Sequence, residues 1–418
     1  MIEVAVLGLG ARGTGYAKWL KWFFKKRGRV VALCDRSADR LFFNAARHKV
    51  DPSRCFLEAD DFFAAGKLAD AVFICSQDRD HYAHAVAAIE LGYEIMLEKP
   101  VSPDLDECLD IERRARDKGV HVVVCHLMRY MPLHNRLQKL VASGRYGRVT
   151  SINHTENIGY FHFAHSYVRG DWHSEAATSP MILAKCCHDF DYLDWLMGGG
   201  CQSVSSLGAL VYFKPENAPP GAASRCLDCP KAVKDNCPYD AERLYITTPL
   251  HKATFVRFMG DTVTRKHRFN KADLYEALKN GNYGRCVFYS DNDVCDRQAA
   301  LLDYGDGRMV ELMATAFSQK CYRHIIVHLE RAVIEAEDYK RKIVVQEFAK
   351  RKRTIRIWEP QIVHLLGDIL MVKNFLNLVD GAALSDATLV STSIESHRLA
   401  LLAEASRKQG GKRLRVER

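Results

Sequence analysis

The chain has 418 residues, of which 48% are apolar and 27% are charged, so we expect a folded, water-soluble protein of two domains rather than a disordered one. No apolar stretch is long enough to cross a bilayer and the start lacks the pattern of a secretory signal, which predicts a cytoplasmic protein without a membrane partner. The net charge is +9, but the basic residues are scattered apart from short runs at 350–353 and 412–415, a pattern of solvated surface rather than of a nucleic-acid partner.

The first residues predict a nucleotide site. An apolar run over 2–7 is followed by Gly8, Gly10 and Gly13, and then by apolar residues at helical spacing. A strand, a glycine turn and a helix in this order form the cradle in which a pyrophosphate meets a helix N-terminus. A second apolar run ends at Asp35, 22 residues beyond Gly13, where a carboxylate can accept the 2′-hydroxyl of an adenosine ribose.

Asp35 also bears on which nicotinamide cofactor we expect. Its charge repels a 2′-phosphate, which favours NAD over NADP. Arg36 follows directly and could offset that repulsion, so NADP stays open. An α/β domain that binds no cofactor is the alternative interpretation of this segment.

The first 125 or so residues alternate short apolar strands with helical segments, which predicts a parallel, doubly wound sheet. Ligands bind outside the carboxyl ends of such strands, so residues 75–78 and 98–100 should lie at the same rim as the glycine turn. An N-cap role for Asp80 and a cation partner for Glu98 are alternatives. We expect cofactor contacts from the residues of this rim: Gly8, Gly10, Ala11, Arg12, Gly13, Asp35, Arg36, Ser76, Gln77, His81, Glu98 and Lys99.

The pattern changes from about residue 149. Alternating strands and hairpin turns predict an open, mostly antiparallel sheet. A strongly apolar helix is predicted within 179–198, and an amphipathic C-terminal helix within 393–411. We therefore predict one domain over 1–125 and a second, α+β domain over 126–418 with a cysteine-containing insert at about 212–285.

The fourteen cysteines follow two patterns. Most lie singly in apolar runs, as reduced core residues do. Cys226, Cys229 and Cys237 instead form C-x2-C-x7-C in a polar stretch, and a tight C-x2-C is half of a structural zinc site. Reduced loop cysteines are the alternative, because a zinc site needs a fourth ligand from elsewhere: Cys201, Cys286, Cys295 or a histidine.

Four stretches carry a family resemblance. GLGARG with Asp35, HYAHAVAAIELGYEIMLEKP, SGRYGRVTSI and HDFDYLDWLMG resemble the Gfo/Idh/MocA oxidoreductases over nearly the whole chain. The resemblance implies an N-terminal Rossmann domain and a C-terminal substrate-binding and oligomerisation domain with an open, mostly antiparallel sheet. It also implies a nicotinamide cofactor, a sugar or polyol substrate, and a homodimer or homotetramer.

The catalytic motif of that family, D-x-G-x-H-x-x-D, falls on residues 184–191. His188 and Asp191 match it, whereas Ala184 replaces the first acid and Cys186 the glycine. Positions 184 and 188 are one helical turn apart, so the missing acid would lie beside the histidine. We expect Lys185 to reach the site as a donor in its place and Asp191 to orient the imidazole.

Lys99 and His188 are the predicted proton-handling residues. A histidine titrates near 6.5 and suits a general base, and an ammonium at a strand end can stabilise a developing alkoxide. Glu98 beside Lys99 is assigned to the cofactor. Substrate contacts are expected from side chains near the cleft between the domains, with plain packing as the alternative: Arg129, Tyr130, Arg169, Trp172 and His173.

These observations predict an NAD(P)-dependent oxidoreductase that moves a hydride between a sugar, polyol or glycoside hydroxyl and the cofactor. One alternative is a redox-neutral glycoside hydrolase, in which NAD oxidises a sugar carbon transiently, the glycosidic substituent is eliminated and the hydride returns. The other is a nucleotide-binding regulator without catalysis, which the alanine at position 184 suggests.

Overall fold

The computed structural model describes residues 1–247, 253–358, 365–382 and 388–417, with side chains from residue 259 onward in the second range. The elements of the first domain are, in chain order, β1 (Ile2–Leu7), α1 (Ala11–Phe23), β2 (Gly28–Cys34), α2 (Ala38–His48), β3 (Cys55–Phe56), α3 (Ala59–Ala64), β4 (Ala71–Ile74), α4 (His81–Glu90), β5 (Glu94–Leu97), α5 (Leu105–Lys118) and β6 (Val122–Val124).

The six strands of this domain form a parallel sheet in the order β3-β2-β1-β4-β5-β6. The central strands are continuous apolar runs because helices cover both faces of the sheet. The strand order reverses between β1 and β4, so the loops that follow these two strands lie side by side, at the point where such sheets bind ligands.

The rest of the chain supplies α6 (Pro132–Ala142), β7 (Val149–Gly159), α7 (Tyr160–Phe163), α8 (Met181–Met197), β8 (Ser203–Ala209), α9 (Lys231–Asn236), α10 (Ala253–Thr264), α11 (Lys271–Asn280), β9 (Arg297–Asp303), β10 (Met309–Ser318), β11 (Tyr322–Leu329), β12 (Ala332–Glu337), β13 (Lys342–Glu347), β14 (Arg353–Arg356), α12 (Leu365–Val379), α13 (Val390–Lys408) and β15 (Leu414–Arg415). Short helices α9 to α11 occupy the predicted insert.

The second sheet has nine strands in the order β14-β13-β12-β11-β7-β10-β9-β8-β15. Only β7 and β10 pair in parallel within it, and its other pairs are antiparallel. Along central strands such as β10 and β11, buried side chains alternate with more exposed ones, because one face packs on a core that includes α8 and α13. The predicted fold class, a parallel sheet joined to a mostly antiparallel one, is confirmed.

The C-terminal helices tie the two domains together. Met371, Phe375 and Leu376 of α12 are buried in the core that lies against β1 and α1. Helix α13 packs between α5 of the first domain and α8 of the second. The two predicted domains therefore share a core near the end of the chain. In the described parts of the chain, no helix combines the length and apolar character needed to span a bilayer.

Candidate active site

Glycine is needed at the three motif positions for different physical reasons. Gly8 has φ +87°, and a Cβ there would lie 2.4 Å from the Cys75 carbonyl oxygen of the neighbouring loop. A Cβ on Gly13 would lie 1.9 Å from the Gly8 carbonyl oxygen, so α1 starts in direct contact with the turn. In front of Gly10 the nearest atom, Nη1 of Arg40, would be 3.9 Å from a Cβ. Two glycines thus form the turn, and the third leaves room where a phosphate approaches the N-terminus of α1.

The Asp35 carboxylate stands at the end of β2, beside this turn. Its Oδ2 accepts a hydrogen bond from the Leu9 backbone N–H at 2.5 Å, and its Oδ1 accepts one from the Ser37 N–H at 2.8 Å. Each carboxylate oxygen has a second lone pair with which it can accept a ribose hydroxyl. Arg36 is exposed, and its nearest carboxylates lie 3.8 Å away.

Arg12 and Glu98, both predicted to contact the cofactor, are bound to each other. Arg12 Nε donates to Glu98 Oε1 at 2.7 Å, and Arg12 Nη2 donates to Asp368 of α12 at 2.8 Å. The Tyr16 hydroxyl donates to the same Glu98 oxygen at 2.6 Å. Burial opposes ionisation of Glu98, but the Arg12 guanidinium prevails and holds the pKa of Glu98 below its usual value. Glu98 is therefore a partner of a cation rather than an open acceptor for a cofactor hydroxyl.

The loop after β4 is held by side-chain contacts of its own. Ser76 Oγ lies 2.9 Å from His84 Nδ1. The buried His81 ring lies between the Pro100 carbonyl oxygen at 2.7 Å and the Ser76 carbonyl oxygen at 3.1 Å, so it joins this loop to the one after β5. Gln77 is exposed at the rim. Asp80 precedes α4 but makes no side-chain cap.

Lys99 connects the first domain to the helix of the catalytic motif. It follows β5 at a cis peptide bond to Pro100, and its Nζ donates to the Ala184 carbonyl oxygen of α8 at 2.6 Å. His188 is one turn further along the same face of α8. The Lys99 ammonium therefore binds the turn of α8 that runs from Ala184 to the half-buried His188.

His126, which the sequence analysis did not single out, lies next to His188. The two ring centroids are 5.6 Å apart, and the His126 ring is 5.8 Å from that of His397 in α13. Burial lowers the pKa of His126, so it is neutral near pH 7. Its position at the carboxyl end of β6, the last strand of a sheet whose strand ends form the rim, is the signal that could have found it.

Asp191 and Lys185, the two residues expected to assist His188, each pair with a residue of opposite charge. Asp191 accepts from Arg129 Nε at 2.7 Å and from Arg129 Nη2 at 2.6 Å, so Arg129 holds both carboxylate oxygens. Lys185 Nζ is 3.1 Å from Glu156 Oε1 of β7. Although burial opposes its charge, the Glu156 carboxylate raises the pKa of Lys185. Each side chain is thus bound to an opposite charge, and the roles of Asp191 in orienting the imidazole and of Lys185 as a donor in the site stay predictions.

The predicted substrate residues divide into two groups. Arg129 lies at the cleft, with its guanidinium carbon 5.0 Å from the centre of the Trp195 ring. His173 is half-buried, and its Nδ1 is 2.8 Å from the Gly170 carbonyl oxygen. Tyr130 is buried, with its hydroxyl 3.1 Å from Thr388 Oγ1. Tyr130 is thus a packing residue, because its polar atom is bound inside the protein.

Arg169 is also turned away from the cleft. It is 2% exposed, its Nε donates to the Arg285 carbonyl oxygen at 2.7 Å, and its Nη2 donates to the Tyr239 carbonyl oxygen at 2.8 Å. These are backbone groups of the insert and its end. The predicted role of Arg169 in substrate binding is therefore corrected to one of holding the insert.

Asp78 is a second residue whose role became visible only in three dimensions. It is buried after β4, and its carboxylate accepts from Trp172 Nε1 at 3.1 Å and from the Ser179 hydroxyl. Trp172 and Ser179 belong to the second domain and precede α8. Asp78 therefore anchors the start of the catalytic helix and one predicted substrate residue to the rim of the first domain.

Among the described residues, the cysteine stretch does not form a metal centre. Cys226, Cys229, Cys237 and Cys286 line one small cavity, but Cys226 Sγ is 3.2 Å from Arg169 Nη2. In the four ranges that the structure describes, no three or more His, Cys, Asp or Glu side chains are arranged to hold a metal ion. The predicted zinc site is therefore not supported: the thiols share a cavity wall without converging on a common centre.

Two family models match this chain. Residues 2–126 match the model described as oxidoreductase family, NAD-binding Rossmann fold. Residues 138–386 match the model described as oxidoreductase family, C-terminal alpha/beta domain. Together the two matches cover both sheets.

Relatives with known names are distant. YteT of Bacillus subtilis is 26% identical over 250 residues, covering 58% of this chain and 54% of that protein. Inositol 2-dehydrogenase of Corynebacterium glutamicum is 28% identical over 208 residues, covering 49% of this chain and 56% of that enzyme. The chain spans about half the length of these curated relatives.

A solved structure is similar over almost the whole chain. The WlbA dehydrogenase from Bordetella pertussis, crystallised with NADH and UDP-GlcNAcA, has a TM-score of 0.68 at 16% identity, covering 100% of this chain and 98% of that one. At this identity the likeness establishes the fold alone.

Proposed function

The chain belongs to the Gfo/Idh/MocA oxidoreductase family, and we propose that it is an NAD-dependent oxidoreductase that transfers a hydride between a sugar or polyol hydroxyl and the cofactor. The contact of Lys99 Nζ with the Ala184 carbonyl oxygen carries this proposal. This contact supports a position of the Lys99 ammonium, which belongs to the first domain, beside His188 at the rim that also contains the glycine turn.

The residues at the rim fit a dinucleotide. The open space in front of Gly10 receives the pyrophosphate, where the backbone N–H groups that begin α1 point outward. The Asp35 carboxylate receives the adenosine ribose. NAD is the preferred cofactor because Asp35 is fixed there by two backbone hydrogen bonds, whereas Arg36 is exposed and only weakly held. NADP remains the second choice.

Proton handling falls to two side chains. Lys99 donates a hydrogen bond to the reacting oxygen and stabilises its negative charge as the hydroxyl loses its proton. His188 accepts that proton, which leaves a half-buried imidazolium beside the neutral His126. The bound cofactor supplies the hydride acceptor at the neighbouring carbon. Arg129, held by Asp191 at the cleft, is placed to donate to further hydroxyl groups of the substrate.

A redox-neutral reaction is the second candidate. The observation that favours it is the insert, which contacts α1 and α2 beside the glycine turn through His267. Thr14, Asn44 and His267 would help to enclose a cofactor there, which would supply a reversible hydride acceptor; transient oxidation of a sugar carbon, loss of the glycosidic substituent, addition of water in its place and return of the hydride would then sum to hydrolysis.

The test is NADH absorbance with purified protein, NAD, and a panel of sugars, polyols and glycosides, with released sugar assayed in parallel. Sustained NADH formation supports the dehydrogenase. Sugar release without net NADH supports the redox-neutral reaction. Bound NAD with no turnover of any substrate would overturn both and favour the regulator.

Variants assign the chemistry in the same assay. Lys99→Met and His188→Asn should each lower kcat by about 100-fold or more with NAD affinity retained. Lys67→Met is the matched control, because Lys67 Nζ binds the Gly92 carbonyl oxygen at the opposite end of the sheet. Turnover that survives both active-site substitutions would contradict the assignment.

We propose a cytoplasmic homodimer or homotetramer. All fourteen cysteines lie in the described residues and none of them forms a disulfide bond, which suits a reducing compartment. The outward face of β8 to β10 carries exposed Leu207, Leu301 and Met309, an apolar patch that a second subunit can cover. Light scattering of the purified protein measures the stoichiometry.

A further inference from the structure

The insert contacts the first domain beside the glycine turn. Asp261 and His267 of the insert meet Thr14 of α1 and Arg40 and Asn44 of α2, and we call these five residues the latch. Arg40 Nη2 donates to Asp261 Oδ1 at 3.0 Å. His267 Nε2 lies 3.1 Å from both Thr14 Oγ1 and Asn44 Nδ2.

The partners of His267 set which of its ring nitrogens donates, and Thr14, whose single hydroxyl proton goes to Leu9, contacts the ring without a hydrogen bond of its own. His267 Nδ1 is paired with the Asp261 carboxylate, so its N–H lies on that side of the ring. His267 Nε2 is then an acceptor, and the Asn44 amide donates to it. Asn44 is fully buried, and the His267 side chain is 5% exposed. These directional contacts specify one docked position of the insert, although Arg40 Nε and Asn44 Oδ1 have no hydrogen-bond partner in the described structure.

The latch stands beside the space left for the phosphates. Thr14 Oγ1 donates to the Leu9 carbonyl oxygen at 2.9 Å, within the glycine turn. Arg40, which holds Asp261, is also the residue nearest to the open space in front of Gly10. The contacts of the insert therefore flank the expected pyrophosphate position.

The same segment is bound to the second domain. Arg265 Nη2 donates to Asp171 Oδ1 at 2.8 Å, and the next residue, Trp172, donates to Asp78 at the rim. Residues 261–267 are thus held at both domains, on the glycine-turn side of the cleft.

We propose that the latch controls release of the nicotinamide cofactor, so that the nucleotide leaves only when the insert undocks and is retained through successive turnovers. This inference rests on the proposed nucleotide site. A retained cofactor must be restored in place: the hydride taken from a substrate carbon returns to the product, or to a second carbonyl substrate that is reduced as the first alcohol is oxidised.

The experiment measures cofactor retention and release directly. Purified protein is denatured and its NAD(H) content determined, and release of bound NADH is followed by fluorescence after addition of excess NAD. We expect co-purified cofactor in the wild type, and release at least tenfold faster in His267→Ala and Asp261→Asn. His324→Ala is the control, since His324 pairs with Glu335 on the second sheet.

The outcomes separate the latch from plain packing. Lower melting temperatures without faster release would overturn the inference, as would wild-type release faster than hydride transfer. Arg265→Met removes the hydrogen bond to Asp171 of the second domain and should also speed the release of NADH. This second variant keeps the inference testable if His267→Ala folds poorly. Protein that binds no NADH would contradict the proposed function itself, whereas binding with unchanged release contradicts only the latch.

Discussion

Asp191 shows how a residue of a catalytic motif can act through charge pairing. Its carboxylate is 2% exposed and is held by both donor groups of one edge of the Arg129 guanidinium. Such a bidentate pair is geometrically specific, and it presents Arg129 to the cleft while neutralising its charge. Asp191 is therefore a positioning residue for Arg129.

We predict that Asp191→Asn destabilises the protein by about 3–5 kcal/mol, because it leaves a largely buried guanidinium without a counter-charge. Urea unfolding at pH 7.5 measures the loss. Asp117→Asn is the control, since its pair with Arg113 is exposed and 3.5 Å long, and it should change stability little. Equal losses in the two variants would contradict a buried pair.

Ala184 is the residue at which this chain departs from its family's motif. Its side chain is 1% exposed, and its carbonyl oxygen already accepts from Lys99. The backbone here provides an acceptor for the ammonium where the motif has a carboxylate. Lys99 is thus positioned without the acid.

At the scale of elements, the glycine turn contains two glycines that the fold requires and one whose small size serves cofactor binding. Gly8 and Gly13 are required by the fold, because any Cβ would collide with backbone atoms. Gly10 has φ −67° and no close neighbour, so the fold does not require it. The lack of a side chain at Gly10 matters only for the binding of a phosphate.

We predict that Gly10→Ala folds normally and weakens NADH binding at least tenfold, because the methyl group occupies the space of the pyrophosphate. A fluorescence titration and a melting curve measure the two quantities. Gly15→Ala is the control within the same helix: its Cβ would meet only Trp19 Nε1, at 3.8 Å, so binding should be unchanged. Wild-type affinity in Gly10→Ala would place the phosphates elsewhere.

Helix α8 joins the two domains. Asp78 of the first domain accepts a hydrogen bond from Ser179 just before the helix begins, and the helix ends at Gly198, whose φ is +82°. One helix thereby carries Ala184 toward Lys99, His188 toward His126 and Asp191 toward Arg129. A shift of α8 by a fraction of a turn would disturb all three contacts at once.

The whole molecule carries several buried neutral histidines, and these predict sensitivity to acid. Burial lowers the pKa of His134, His165 and His397 to about 3. Above pH 6.5 both folded and unfolded forms of these groups are neutral. Below it the unfolded chain takes up protons that the folded chain excludes, so stability falls as pH decreases toward 3.

His134 offers a clean measurement of this effect. In the described structure neither of its ring nitrogens has a hydrogen-bond partner, and its ring packs edge-on against Tyr192, 5.0 Å away. We predict that His134→Phe keeps this packing and reduces the loss of unfolding free energy below pH 6.5 by about 1.4 kcal/mol per pH unit. Urea unfolding at pH 7.5 and pH 5.0 measures the change. Equal pH dependence in variant and wild type would contradict a neutral buried His134.

The sequence by itself determined the fold class with its two sheets and its glycine turn, and it singled out Asp35, Lys99 and His188, whose roles stay predictions. Each of these depends on local spacing: apolar periodicity decides strand or helix, and the ends of parallel strands share one rim. Only the tertiary structure decided which charges pair. Asp191 pairs with Arg129 of the turn after β6, and Lys185 pairs with Glu156 of β7, and both partners are distant in the sequence. The latch follows the same rule, since Thr14 and His267 lie 253 residues apart and no periodicity links them. Buried charges and polar groups need partners wherever the fold places them, and that placement is a property of the whole chain.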